Sequence, residues 1–215
     1  MVSILTPSIR VHGLKPIQDS LELQTNQSFE WLVELGRPSM GHDLNQAMNR
    51  MLKRAKGDII VILQDWTEIP STAIETIIGL HSMNDKVMFT YPLVKVDDLK
   101  DETAQVRTDW RWGCDQFVPF YQWESDFASA PLQAFKDIGG YDEEFDKGWS
   151  WDNVNVAHRA KMAGYAFRCY PEIWGKAWDH DKFTVHPFRG KNENGELSKN
   201  KDIDIELGNW KLNYL

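Results

Sequence analysis

Two aspartates stand where a folded chain could use them for chemistry. Asp65 follows the apolar run IIVIL and sits between Gln64 and Trp66. Open α/β sheets place ligands beyond the carboxyl ends of their strands, and a carboxylate there suits Mg2+ or Mn2+. A turn or helix-cap role ahead of Ile69-Pro70 fits the same position. Asp152, within GWSWDNVNVAHRAKMAGY, stands where a helical pattern begins. It can cap that helix or present a base into a cleft walled by Trp149 and Trp151, and the two roles are compatible. His158 and Arg159, deeper in the same helix, read as structural residues. A third group is Asp179-His180-Asp181 in KAWDHDKFTVHPFRG. A strand sends neighbouring side chains to opposite faces, so one of these three can join a metal. An imidazole ligand would shift preference towards Mn2+. His186 and Arg189 suit either phosphate contact or plain surface.

The composition narrows the function. With 215 residues, 42% of them hydrophobic and 26% charged, the chain can bury a core. A net charge of -8 argues against a nucleic-acid binder, and the basic cluster Lys53, Arg54, Lys56 reads as a solvated helix face. Ten tryptophans are available to fill the core or to stack on sugars. Cys114 and Cys169 lack metal spacing and are expected as free thiols. The segment MVSILTPSIR has no basic stretch leading into an apolar one, so no signal peptide and a cytoplasmic location are expected. No apolar run reaches about 18 residues, so no transmembrane segment is expected, and peripheral membrane association stays open. Phosphate-loop, serine-hydrolase and zincin motifs are missing.

The elements that must position the two aspartates follow from periodicity. Val2 to Thr6 reads as a first strand, Ile17 to Thr25 as a helix, and Phe29 to Val33 as a second strand. This order predicts a parallel α/β unit. Asp43 is the expected N-cap of a helix over Leu44 to Lys56, and Ile59 to Leu63 the most hydrophobic strand. A helix from Pro70 to Leu80 and a strand from Val87 to Leu93 follow. Residues 94–130 have poor periodicity. Beyond them come a helix over Leu132 to Ile138, another over Trp151 to Met162, and a last strand over Phe167 to Tyr170. From Gly190 the chain is polar and is expected to be an extended arm or partly disordered.

The order of these pieces resembles the family 2 glycosyltransferases, inverting enzymes of the GT-A fold. VSILTPSIR resembles the family's first strand followed by Thr-Pro, and LELQTNQSFEWLV its next helix and strand. AMNRMLKRAKGDIIVILQD is similar to the family's helix-to-strand segment ahead of its acidic motif. AFKDIGGYDEEF and WDNVNVAHRAKMAGYAFRCYP resemble two later motifs. The likeness runs from about Val2 to His180.

The resemblance implies a single α/β domain over residues 1–189, with a mostly parallel central sheet flanked by helices. A nucleotide-binding half would cover about 1–93, an acceptor-side half 94–189, and a polar tail 190–215. It implies a nucleoside-diphosphate sugar donor of UDP or GDP type, and a carbohydrate or other hydroxyl acceptor. Thr6, Pro7 and Glu34 would line the nucleotide pocket, with Asp43 and Asn49 shaping it and Gln64 reaching the ribose. Asp65 and His180 would hold a divalent cation, Mn2+ or Mg2+, and Asp152 would be the general base. Trp149, Trp151 and the aromatic span Trp110 to Trp123 would wall the acceptor. Gln64 and Trp66 stand where the family carries further acids, and Trp151 where it carries glutamate. A non-catalytic sugar- or nucleotide-binding protein is the main alternative, and a nucleotidyltransferase a third.

Overall fold

The computed structural model describes residues 1–36, 43–96, 109–148, 150–178 and 194–215. Strand β1 (Val2–Ser8) lies between β2 (Phe29–Leu35) and β3 (Ile59–Leu63), parallel to both. Helix α1 (Lys15–Glu22), entered through a 3-10 turn over Val11–Leu14, connects β1 to β2, and α2 (Leu44–Arg54) precedes β3. Pro7 falls beyond the stretch of β1 that pairs with β3, so its missing amide costs that ladder nothing.

The parallel series then stops. The strand beside β3 is β8 (Phe127–Pro131), which runs antiparallel to β3 and to β5 (Val87–Thr90). β9 (Ala166–Cys169) is parallel to β5, and the short β7 (Gln116–Phe117) is antiparallel to β9 at the edge. The sheet is therefore mixed, in the order β2-β1-β3-β8-β5-β9-β7, and not mostly parallel as the resemblance implied. A second sheet puts β10 (Gly175–Trp178) between β4 (Thr67–Glu68) and β6 (Leu93–Val96). The single strand expected from Val87 to Leu93 is thus two strands in two sheets.

Both faces of the main sheet are covered, so β3 can be apolar at every position. Ile60 and Ile62 pack with Met48, Met51 and Leu52 of α2 and with Phe135 and Val156. The last two belong to α4 (Leu132–Ile138) and α5 (Asp152–Met162). Val61 and Leu63 face the other way, towards Ile17 and Leu21 of α1 and towards Ile74 and Ile77 of α3 (Ala73–Met83).

The polar tail is built into the body. Asn194–Glu206 forms α6, with Ile205 buried. Asp202 meets His158 Nδ1 at 2.8 Å, and Lys201 pairs with Asp142 and Glu144. Beyond α6, the Leu212 and Tyr214 amides donate to the carbonyls of Ile138 and Gly139, and Trp210 packs on the core. Composition predicted an arm because α6 is held by ion pairs and a few anchors rather than by an apolar stripe.

Candidate functional site

The parallel strands β1, β2 and β3 end on the same edge of the sheet. Because β8 runs the other way, it begins at that edge, with Phe127 opposite Leu63. The Gln64 amide donates to the Asp126 carbonyl, and Asn153 Nδ2 reaches Glu124 at 3.5 Å. Residues 124–126 therefore link the end of β3 to the start of α5. Asp65 and Asp152 are brought to one edge.

Asp65 is almost fully buried, at 2% exposure, and both its oxygens are engaged. Its Oδ2 accepts from Ser8 Oγ at 2.6 Å and from Arg10 Nε at 3.0 Å, while Oδ1 accepts from Arg10 Nη2 at 2.5 Å. This is a two-pronged guanidinium–carboxylate pair. Trp66 follows with a left-handed φ of 64°, its indole edge-on to His12 at 5.5 Å. The ring lies so close over Gly13 that a Cβ there would be 2.6 Å from Nε1. Arg10 is a site residue that sequence reading missed. Its only signal was a lone arginine shortly after the Thr-Pro of the first strand.

The remaining expected donor-side residues spread along the edge. Thr6 is buried, its Oγ1 accepting from Trp31 Nε1 at 3.0 Å, and half-buried Pro7 lies in register with Glu34. Glu34 receives Arg50 at 3.1 Å and Arg54 at 2.6 Å. Asp43 does sit at the N-cap of α2, but its side chain caps nothing and instead receives Arg50 at 3.0 Å. The cap is Asp146, from far along the chain, which accepts from the amides of Asn45 and Gln46 and from Asn45 Nδ2. Asn49 is used structurally. Its Nδ2 donates to the Tyr141 carbonyl and to Glu143, and its Oδ1 accepts the Tyr141 amide, which ties α2 to the turn after α4. His180, Asp179, Asp181, His186, Arg189 and Trp149 lie outside the described residues.

Asp152 opens α5 and receives its own amide and that of Asn153, which favours its ionised form. Burial outweighs them and pushes its carboxyl above the ordinary aspartate range. Asp146 is driven up to about 6, chiefly by burial, with the Asp152 charge adding to the rise. Tyr141, whose buried hydroxyl finds no hydrogen-bond partner among the described residues, lies within electrostatic reach of Asp152. Ser150 and Trp151, immediately before it, have φ of 70° and 73°. Such angles cost L-residues roughly 1–2 kcal/mol each. Among the described residues, the non-glycine positive φ values are those of Trp66, Ser150 and Trp151, and they flank the two carboxylates.

Two buried arginines support the site. Arg111 forks onto Asp109 and Asp126 and donates to Thr90 Oγ1, which fixes the lead-in to β8. Arg159 donates to the Ile138 and Gly140 carbonyls and to Asn155. It anchors the turn after α4, while His158 stacks on Phe120 at 4.5 Å, so both serve structure as their positions suggested.

The divalent cation implied by the resemblance does not fit the described side chains at Asp65. No group of three His, Cys, Asp or Glu able to hold a metal occurs among the described residues. A cation on Asp65 would also stand beside the Arg10 guanidinium. A dication about 5 Å from a unit positive charge meets roughly 7 kcal/mol of repulsion at an effective dielectric of about 20.

Staphylococcus aureus TarS in complex with UDP-GlcNAc superposes with a TM-score of 0.63 at 13% identity, over 86% of this chain and 60% of that one. GalNAc-T7 with UDP, GalNAc and Mn2+ superposes with a TM-score of 0.62 at 10% identity, over 83% of this chain and 44% of that one. The chain has the GT-A fold. In sequence, Caenorhabditis elegans "Probable N-acetylgalactosaminyltransferase 9" is 27% identical over 204 residues, covering 83% of this chain and 33% of that protein. The GT-A chain thus spans about a third of the curated relative it matches. No protein-family profile matches it. Among the described residues, no helix is long and apolar enough to cross a membrane.

Proposed function

We propose that this chain is a glycosyltransferase unit that moves a sugar from a nucleoside-diphosphate donor to an acceptor hydroxyl with inversion. The observation that carries the reading is the single edge where buried Asp65 and helix-starting Asp152 each adjoin left-handed, non-glycine backbone. Strained backbone persists where the surrounding structure over-determines it, and it gathers at active sites. The GT-A likeness to chains solved with UDP and with UDP-GlcNAc supports a UDP-type donor.

Asp152 acts as the base. Its carboxylate takes the acceptor's proton while the acceptor oxygen attacks the anomeric carbon from the face opposite the diphosphate. The bond from that carbon to the diphosphate breaks, and its electron pair leaves with the nucleotide. Trp151, 39% exposed beside Asp152, offers an apolar face for the acceptor. Thr6, Pro7, Glu34, Asp43 and Gln64 border the donor side. The test is a panel of UDP- and GDP-sugars with simple hydroxyl acceptors, read by released nucleoside diphosphate and by NMR of the product's anomeric centre. Inverted product from one donor supports the proposal. Retained configuration sinks the inverting mechanism, and the absence of both transfer and donor hydrolysis sinks the enzyme.

One observation favours a second reading. The acidic motif is reduced to a single carboxylate already held by Arg10, as a donor-binding protein without turnover would tolerate. That protein would bind a nucleotide sugar and release no nucleoside diphosphate.

A further inference from the structure

We propose that Arg10, rather than a divalent ion, supplies the positive charge that meets the donor's diphosphate, and that Asp65 and Ser8 position its guanidinium for that task. The inference rests on the donor reading above and specifies how that donor is held.

Asp65 occupies the end of β3, where the ion would be expected, but its two oxygens are taken up by Arg10 and Ser8. The pair is shielded, with 11% of the Arg10 side chain and 2% of the Asp65 side chain exposed. A guanidinium carries five N–H donors in a rigid fork matched to carboxylate and phosphate oxygens. Nε and one arm of Nη2 are spent on Asp65, and Nη1 has no acceptor among the described residues. Arg10 also leaves β1 at the ligand-facing edge, next to exposed His12. Of the other cations there, Arg50 is committed to Glu34 and Asp43, and Arg54 to Glu34. The backbone makes the arrangement stiff. The Ser8 hydroxyl accepts the Arg10 amide at 2.8 Å and donates to Asp65, so one side chain sets both members of the pair. The left-handed Trp66, with its amide bonded to the Gly13 carbonyl at 2.8 Å, pins the segment that follows Arg10 against the segment that follows Asp65.

The experiment uses the full chain with three probes: UDP, uridine and Mn2+ alone. Calorimetry should give UDP affinities within about twofold in chelator and in Mn2+, and Mn2+ alone should leave its paramagnetic resonance signal unattenuated. Arg10→Ala should weaken UDP roughly 10–100-fold, the loss of a charge-assisted phosphate contact, while uridine binds as before. Unchanged uridine binding also establishes that the variant is folded. Arg10→Lys, which keeps the charge and loses the fork, should fall between the two. UDP binding that collapses in chelator, Mn2+ binding that disappears in Asp65→Asn, or Arg10→Ala that binds UDP like the unaltered chain would each overturn the inference. Sugar transfer is scored separately. The expected UDP pattern without transfer upholds the role of Arg10 and removes the enzyme reading, whereas UDP that binds to no form overturns both.

Discussion

Asp146 caps helix α2 from across the chain, its carboxylate accepting the Asn45 amide at 2.8 Å while the charge of Asp152 also bears on it. The folded protein holds the Asp146 proton more tightly than the unfolded chain does, with a value near 6 against 3.8. The native state therefore binds the extra proton between those values, and this group's contribution to stability falls as pH rises through that window. Going from about pH 7 to about pH 5 should add about 1 kcal/mol from Asp146. Urea unfolding of the unaltered chain and of Asp146→Asn checks this. The difference between them should change with pH in that sense, and parallel profiles would show that Asp146 titrates normally.

Asp152→Asn keeps the helix start and removes the base. Transfer should fall roughly 10²–10⁴-fold, with UDP affinity nearly unchanged. Because burial raises the Asp152 carboxyl, the acidic limb of the unaltered chain's rate profile should lie above the usual aspartate range. A variant that transfers sugar at near-native rate would remove Asp152 from the chemistry.

Asn49→Asp should destabilise more than Asn49→Ala. The alanine loses buried hydrogen bonds to Tyr141 and Glu143, worth about 2–3 kcal/mol together. The aspartate additionally turns a carboxylate oxygen towards the Tyr141 carbonyl and the Glu143 carboxylate. Chemical denaturation ranks the two, and transfer per folded molecule should survive in both if Asn49 serves the scaffold.

Gly139 has φ of 76°, and a Cβ there would fall 1.7 Å from the Leu212 carbonyl oxygen. Gly139→Ala should cost about 3 kcal/mol or more in the full chain. In a chain ending at residue 206 the clash partner is gone, and the same change should cost only about 1 kcal/mol. Equal costs in the two backgrounds would mean that Leu212 does not press on the turn.

What the sequence revealed depended on which force fixed each element. Ile59–Leu63 and Leu132–Ile138 were read to the residue, since an unbroken apolar run after Gly57 settles the first and apolar spacing stopped by Gly139 the second. β8 escaped notice because FASAP is mostly small residues without alternation, buried on both sides by its neighbours. Around Arg111 the chain is organised by buried ion pairs, which leave no periodic trace. At the site, the places of Asp65 and Asp152 were legible from strand and helix ends. Their partners were not, for Arg10 and Asp146 reach across the fold, and no local pattern announces a contact between distant segments.

The contacts of residues 212–214 with the turn after α4 have a consequence for how the chain is made. The turn emerges from the ribosome long before those residues exist. Until they arrive, the Gly139 carbonyl lacks its Tyr214 partner, the Ile138 carbonyl has Arg159 alone, and the slot over Gly139 stands open. The strands that carry Asp65, complete much earlier, can begin to pair before the helix that carries Asp152 is made. The order of synthesis thus leaves the shared edge to be closed last.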